Sequence, residues 1–112
     1  MDFVRVFTGE DGASHFEFID PLANAGWARG LPATQCSVRQ MAAGTAMDWH
    51  PAPRRQLVIH LSGRLEIALS DGAAHTFGPG SIRLMDDLSG SGHLTRVIGD
   101  EPVLQAIILM PE

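Results

Sequence analysis

Short segments rich in β-branched and aromatic residues recur along the chain and are separated by glycine, proline and aspartate. This spacing predicts an all-β sandwich or barrel. No segment keeps a helical hydrophobic period, so no long amphipathic helix is expected. The predicted strands are Phe3–Thr8, His15–Ile19, Thr34–Met41, Gln56–Leu61, Arg64–Ser70, His75–Phe77, Ile82–Met85, His93–Ile98 and Val103–Met110.

The segment QLVIHLS, which begins at Gln56, shows what the two faces of a predicted strand carry. Successive side chains of a strand point to opposite faces, so Gln56, Val58 and His60 share one face. Leucine and isoleucine occupy the other face, which is expected to be buried. The mixed face is expected either to contact solvent or to line an internal cavity.

Two short turns are expected to join antiparallel neighbours. Asp71-Gly72 is a hairpin signal, and Ser62-Gly63 separates two predicted strands. The irregular segment Pro21–Pro32 contains Trp27 between prolines and glycines. It is interpreted either as a plain connecting loop or as a lid of one helical turn over a barrel mouth or a partner subunit.

The chain length of 112 residues and the hydrophobic content of 45% predict a single domain with a real core. The net charge is -5 and no arginine stripe stands out, so nucleic acid is not an expected partner. No leader pattern or membrane-length apolar run is visible, and a cytoplasmic protein without a membrane partner is expected.

The residue types that are missing restrict the chemistry. Cys36 is the single cysteine, which excludes an intrachain disulfide and a thiolate cluster, and it is expected to be buried in a strand. The chain has no lysine and no tyrosine, so Schiff-base chemistry and a tyrosine general acid are excluded.

Five residues between Gly44 and Gly63 follow a distinctive spacing: Gly44, then His50, Ala52 and Gln56, and finally Gly63. This spacing resembles the first conserved motif of the cupin superfamily, in which the three inner positions are histidine, histidine and glutamate. Alanine therefore stands at the second histidine, and glutamine stands at the glutamate.

The second cupin motif is matched in part. Gly80 resembles its opening glycine and His93 its histidine, although the turn DDLSGSG between them is longer and no asparagine follows. The chain resembles a small single-domain cupin over roughly residues 33–110, with two N-terminal strands and a loop in residues 1–32. The resemblance implies a jelly roll, or double-stranded β-helix barrel, of two antiparallel sheets within one domain, 1–112.

The resemblance also implies a divalent transition metal, Fe, Mn, Ni or Zn, held by His50, Gln56 and His93. Two neutral imidazoles and one amide oxygen leave the ion's charge uncompensated, so metal affinity is expected to be weaker than in a cupin with three histidines and one glutamate. No catalytic residue is assigned.

Further residues are candidates for ligand binding around this site. His60 lies about 13 Å along the strand from Gln56 and is expected to bind substrate or support a metal ligand. Arg55 is a candidate partner for a substrate carboxylate, and Trp27 is a candidate ligand contact on the lid. Asp86 and Asp87 are interpreted either as paired carboxylates for acid–base work or as caps of the following turn.

Two functions stay open. One is a metal-dependent cupin enzyme, such as a dioxygenase, isomerase or lyase, acting on a small polar metabolite. The other is a non-catalytic barrel that binds a small ligand and keeps a vestigial metal site. The resemblance and the apolar segment VLQAIILM, Val103 to Met110, also predict a homodimer, because that strand is expected to be buried on both faces.

Overall fold

The computed structural model describes residues 2–111. Within them the chain forms strands and one helical turn, α1, at Gly26–Arg29. The strands are β1 (Phe3–Thr8), β2 (Ser14–Phe18), β3 (Gln35–Met41), β4 (Ala46–His50), β5 (Gln56–Ser62), β6 (Arg64–Ala68), β7 (Ala74–Phe77), β8 (Ile82–Asp86), β9 (His93–Ile98) and β10 (Val103–Leu109).

The strands form two sheets. The larger has the order β2-β1-β8-β5-β10-β3, and the smaller has the order β4-β9-β6-β7. Neighbouring strands are antiparallel except β1 and β8, which are parallel. The prediction of an all-β barrel built from two antiparallel sheets is therefore confirmed, with this one parallel pair added.

The main core lies between the two sheets. It is built from the inward side chains of both sheets, and its fully buried members include Val4, Val6, Leu65, Ile67, Phe77 and Val103. Burial of these side chains is the main stabilising contribution to the fold, at about 1.5–3 kcal/mol for each large aliphatic or aromatic side chain.

The mixed face of β5 points into this interior. Val58 and His60 are each 1% exposed, which confirms the prediction that this face is internal. The leucine and isoleucine face lies on the outside of the larger sheet, and Leu61 is 48% exposed. The expectation that this second face is buried is wrong for the single chain, because the mixed face, not the leucine and isoleucine face, points into the barrel interior.

The segment between β2 and β3 covers part of the outer face of the larger sheet. Trp27 packs edge-on against Phe3, with ring centroids 4.7 Å apart. Phe3, Leu84 and Met110 form a second, smaller buried cluster there. The helical turn of the lid interpretation is present, but it lies on the outer face of the larger sheet, so the segment is not a lid over the cavity between the sheets.

Three local expectations are corrected. Strand β4 is not predicted from the sequence, since its residues AMDWH are mostly exposed and do not alternate. The turn at Ser62-Gly63 does not make a hairpin, because β5 belongs to the larger sheet and β6 to the smaller one. Cys36 is exposed, since it lies on the outward side of the edge strand β3. The hairpin at Asp71-Gly72 is confirmed by the antiparallel pairing of β6 and β7.

Strand β10 is buried on one face only. Val103, Gln105 and Ile107 point inward, whereas Leu104 and Ile108 are half-buried on the outer face. Burial on both faces is therefore not seen in the single chain, and the homodimer that would cover the outer face stays a prediction. No helix within residues 2–111 has the length and hydrophobicity needed to cross a membrane.

Candidate metal and ligand site

A cavity of about 260 Å³ opens between the two sheets. Both sheets contribute side chains to its wall, and β4 and β9 face β5, β8 and β10 across it. The polar side chains of its inner wall are His50, Gln56, Arg83, His93, Thr95 and Gln105. The cavity therefore brings together all three residues predicted to bind metal, His50, Gln56 and His93.

A bulge in β4 turns His50 into this cavity. His50 is the cross-strand neighbour of His93, and Met47 is the neighbour of Thr95, with a shift of register between Met47 and His50. Residues three apart in a regular strand face opposite sides, so one extra residue is needed to bring both to the inner face. As a result the imidazole rings of His50 and His93 lie 4.6 Å apart, centroid to centroid.

Gly92 allows the backbones of these two strands to approach closely. The φ angle is +72° at Gly92 and +78° at the nearby Gly90, so both residues adopt the left-handed conformation that glycine favours. A Cβ atom on Gly92 would lie 2.2 Å from the carbonyl carbon and oxygen of His50. Glycine at this position is therefore a condition for the contact between the two histidines.

The orientation of the His93 ring is fixed by a buried carboxylate. Nδ1 of His93 donates to Oδ2 of Asp87 at 2.6 Å, and the same oxygen accepts from the Ser14 hydroxyl at 2.7 Å. Asp87 is fully buried. Because a carboxylate only accepts hydrogen bonds, a neutral His93 ring carries its proton on Nδ1 and leaves the lone pair on Nε2.

His50 has the same tautomer for a different reason. Its Nδ1 lies 2.6 Å from the backbone carbonyl oxygen of Asp48, which can only accept a hydrogen bond. A neutral His50 ring therefore carries its proton on Nδ1, which again leaves the lone pair on Nε2. In both histidines Nδ1 thus faces an oxygen acceptor, which is the arrangement that suits Nε2 coordination of a metal.

The remaining ligand positions are incomplete. Gln56 lies in the cavity wall and has an amide oxygen to offer, whereas Ala52, at the place of the missing histidine, is buried and has no donor atom. Within residues 2–111 no three His, Cys, Asp or Glu side chains lie close enough together to hold an ion. The donor set fits a neutral site of two nitrogens and one amide oxygen with open coordination positions, not a closed cage.

Arg83 of β8 is a cavity residue that the sequence did not single out. Its Nε donates to Nε2 of His60 at 3.1 Å, and its Nη2 donates to Oε1 of Gln105 at 3.2 Å. His60 is not part of the cavity lining and stacks on Phe77 at 5.5 Å. The direct contact of His60 is thus with Arg83, so it can reach a ligand only through that residue.

Burial controls the protonation of this pair. It lowers the pKa of His60 to about 3, with a smaller contribution from the positive charge of Arg83. Burial also lowers the pKa of Arg83 to about 10, against the opposing attraction of Asp87. At neutral pH His60 is therefore neutral and Arg83 is a cation.

Arg55 and Trp27 do not line the cavity. Both contribute to a separate depression on the outer face of the larger sheet. Nε of Arg55 lies 3.3 Å from Oδ1 of Asp86, and that carboxylate also pairs with Arg5 at 2.9 Å. Arg55 and Trp27 therefore lie apart from the cavity that holds the two histidines. Their roles in ligand binding stay predictions.

Asp86 and Asp87 are not paired with each other. Asp86 ends β8 among arginines on the outside, whereas Asp87 points inward to His93. Adjacent residues of an extended chain point in opposite directions, which separates the two carboxylates. Acid–base work by the two together is therefore excluded, and Asp87 serves to orient His93.

Comparison with solved structures identifies the fold. A cupin 2 conserved barrel domain protein from Salinispora arenicola matches with a TM-score of 0.54 and 24% identity, over 68% of this chain and 61% of that one. The protein has the cupin fold. The cupin domain of Schizosaccharomyces pombe Cnp3 matches with a TM-score of 0.52 and 15% identity, over 98% of this chain and 84% of that one.

A predicted oxalate decarboxylase from Thermotoga maritima also shares the cupin fold, with a TM-score of 0.52 and 13% identity, over 98% of this chain and 94% of that one. The match to the Salinispora protein covers about three fifths of that protein's length. No protein family model and no curated protein matches the sequence. The cupin prediction is thus confirmed at the level of fold.

Proposed function

We propose that the cavity of this cupin barrel binds a divalent transition metal and a small polar metabolite. The observation that supports the metal most directly is the pair of imidazoles with both Nδ1 atoms engaged by oxygen acceptors. His50, His93 and Gln56 would hold the ion. A bound ion would supply Lewis-acid polarisation of a carbonyl or carboxylate oxygen.

The neutral donor set favours a site that is open to a second ligand. Two imidazoles and an amide do not compensate the charge of a dication, so hydroxide or an anionic ligand would complete the coordination. Dioxygenase, isomerase and lyase chemistry are all compatible with such a site, and the fold does not choose among them.

Metal content tests this proposal. We expect close to one ion per chain in tag-free protein that is purified without chelator. We expect the same in protein that is reconstituted with Fe, Mn, Ni or Zn. His50→Ala removes one of two nitrogen donors and is expected to lose most of that metal. His15→Ala is the matched control, since His15 pairs with Asp11 outside the cavity. Equal metal loss in both variants, or no metal in the wild type, contradicts the proposal.

Asp87→Asn is expected to lower metal affinity by about 10–100-fold, the usual effect of removing the carboxylate behind a ligating histidine. The amide no longer compels His93 to keep its proton on Nδ1, so the Nε2 lone pair is less available. The measurement is a zinc titration against a competing chelator.

Asp86→Asn is the control for that titration, because it changes charge by the same amount at the adjacent position. Asp86 contacts Arg5 and Arg55 outside the cavity, so its substitution is expected to leave zinc affinity within about twofold. An equal loss of affinity in both variants would mean that net charge, not the orientation of His93, determines binding.

The alternative is a non-catalytic barrel that binds a small ligand and keeps a vestigial metal site. Ala52 and Gln56 favour it, because a site selected for tight metal retention needs a third nitrogen and a carboxylate. If reconstitution with all four metals gives no bound ion, this second function becomes the better account.

A further inference from the structure

Arg83 is a buried cation whose hydrogen-bond partners carry no negative charge. It is 7% exposed and lies in the cavity wall. The acceptors of its Nε and Nη2 are the neutral imidazole of His60 and the amide of Gln105. Asp87 attracts Arg83 through space, but its Oδ2 is bonded to Ser14 and His93.

The cavity wall as a whole is positive. Arg39 lies at its rim and Arg83 in its interior, and none of the described residues that line it is an aspartate or glutamate. This contrasts with the chain's net charge of -5. Burying a guanidinium is costly when neither hydrogen bond from its Nε and Nη2 goes to a carboxylate and Asp87 attracts it only through space. An anion entering the cavity would supply a directly bonded counter-charge.

The guanidinium also has free donors of the right geometry. It carries five N–H groups in a planar fork, and the contacts to His60 and Gln105 use two of them. The remaining donors suit the two oxygens of a carboxylate, which arginine binds bidentately. The cavity volume of about 260 Å³ is suited to a small acid.

We propose that the cavity selects small organic acids and that Arg83 binds their carboxylate. This inference rests on the proposed function in taking the cavity as the ligand site, but it does not require the metal. Gln105 and His60 are positioning residues that hold the guanidinium through its Nη2 and Nε atoms. Neutral analogues of the same shape supply no negative charge to the guanidinium and bind more weakly.

The test compares acids with their amides on protein treated with EDTA. Acetate, malonate and succinate are each paired with acetamide, malonamide and succinamide, and binding is measured by melting temperature and by calorimetry. At least one acid is expected to raise the melting temperature of the wild type, and its amide is expected to bind at least tenfold more weakly. Equal binding of each acid and its amide, or no binding of any acid, overturns the proposal.

Arg83→Met is expected to raise the dissociation constant for the acid at least tenfold. Arg96→Met is the matched control, because it removes the same group from an exposed position paired with Glu66. If Arg83→Met binds the acid as tightly as the wild type, the proposal is wrong. If that variant does not fold, the comparison of acids and amides on the wild type decides alone.

The two proposals can fail independently. If the metal-free protein binds acids but takes up no ion on reconstitution, Arg83 remains the ligand site and the metal proposal is wrong. If the protein holds stoichiometric metal but binds acids and amides equally, the metal proposal stands and the Arg83 proposal is wrong.

Discussion

Gly92→Ala is expected to destabilise the protein by about 3 kcal/mol or more. The added Cβ atom would lie 2.2 Å from the backbone carbonyl of His50, so β4 must move away from β9. Overpacking of this kind costs about 1–3 kcal/mol, and the left-handed conformation at φ +72° adds about 1–2 kcal/mol for a residue with a side chain. Urea unfolding monitored by tryptophan fluorescence measures the change.

Gly44→Ala separates the two contributions. Gly44 has a φ angle of +82°, but a Cβ atom there meets nothing within 4 Å. Its substitution is expected to cost only the conformational strain, about 1–2 kcal/mol. Gly92→Ala should also lose metal under conditions where it is still folded, whereas Gly44→Ala should keep it. Equal destabilisation by the two substitutions would contradict the close approach of β4 to Gly92.

Acidification is expected to destabilise the fold through His60. In the unfolded chain His60 takes up a proton below its ordinary pKa of 6.5, whereas in the folded protein its pKa is lowered to about 3 by burial. Between these values the unfolded state binds more protons, so the free energy of unfolding falls as pH falls. At pH 5 this loss amounts to about 2 kcal/mol relative to pH 8, from about 1.4 kcal/mol per pKa unit.

His60→Gln is expected to remove this dependence. Glutamine can accept the hydrogen bond from Nε of Arg83 through its amide oxygen and does not titrate. The variant loses the stacking on Phe77 and is less stable at pH 8, but its loss of stability between pH 8 and pH 5 is smaller than that of the wild type by about 2 kcal/mol. Parallel pH profiles for the two proteins would show that His60 is not the group responsible.

Much of the architecture follows from patterns that are local in sequence. The bounds of β1 and β9 are predicted without error at Phe3–Thr8 and His93–Ile98, because turn residues flank alternating segments there. The face of β5 that carries Gln56 and His60 is likewise readable from alternation alone. The resemblance of the spacing from Gly44 to Gly63 to the first cupin motif then implies that His50 and Gln56 share a cavity.

The rest depends on contacts between distant segments. The bulge turns His50 inward, and it is visible only in the register of β4 against β9. No residue type in the segment AMDWH predicts it. Arg83 carries a weak signal, an arginine between the outward residues Ile82 and Leu84 of a short strand, which places it on the inner face. Whether that face lines a cavity or contacts solvent depends on how the two sheets pack, which cannot be predicted from the pattern of a single strand.

The role of Asp87 likewise could not be predicted from the sequence. A pair of adjacent aspartates before a glycine-rich turn is usually part of the turn. Here the second carboxylate is fully buried because Ser14, from β2, and His93, from β9, supply its hydrogen bonds. These partners lie 73 and 6 residues away in the chain, so only the tertiary structure identifies the role of Asp87.

The most direct test of the metal proposal is anomalous X-ray scattering from crystals of the zinc-reconstituted protein. We expect one strong peak inside the cavity, at about 2.0–2.2 Å from Nε2 of His50, Nε2 of His93 and the side-chain oxygen of Gln56. A cavity without such a peak at saturating zinc, or a peak only at histidines outside it such as His15 and His75, would mean that His50 and His93 do not hold the metal.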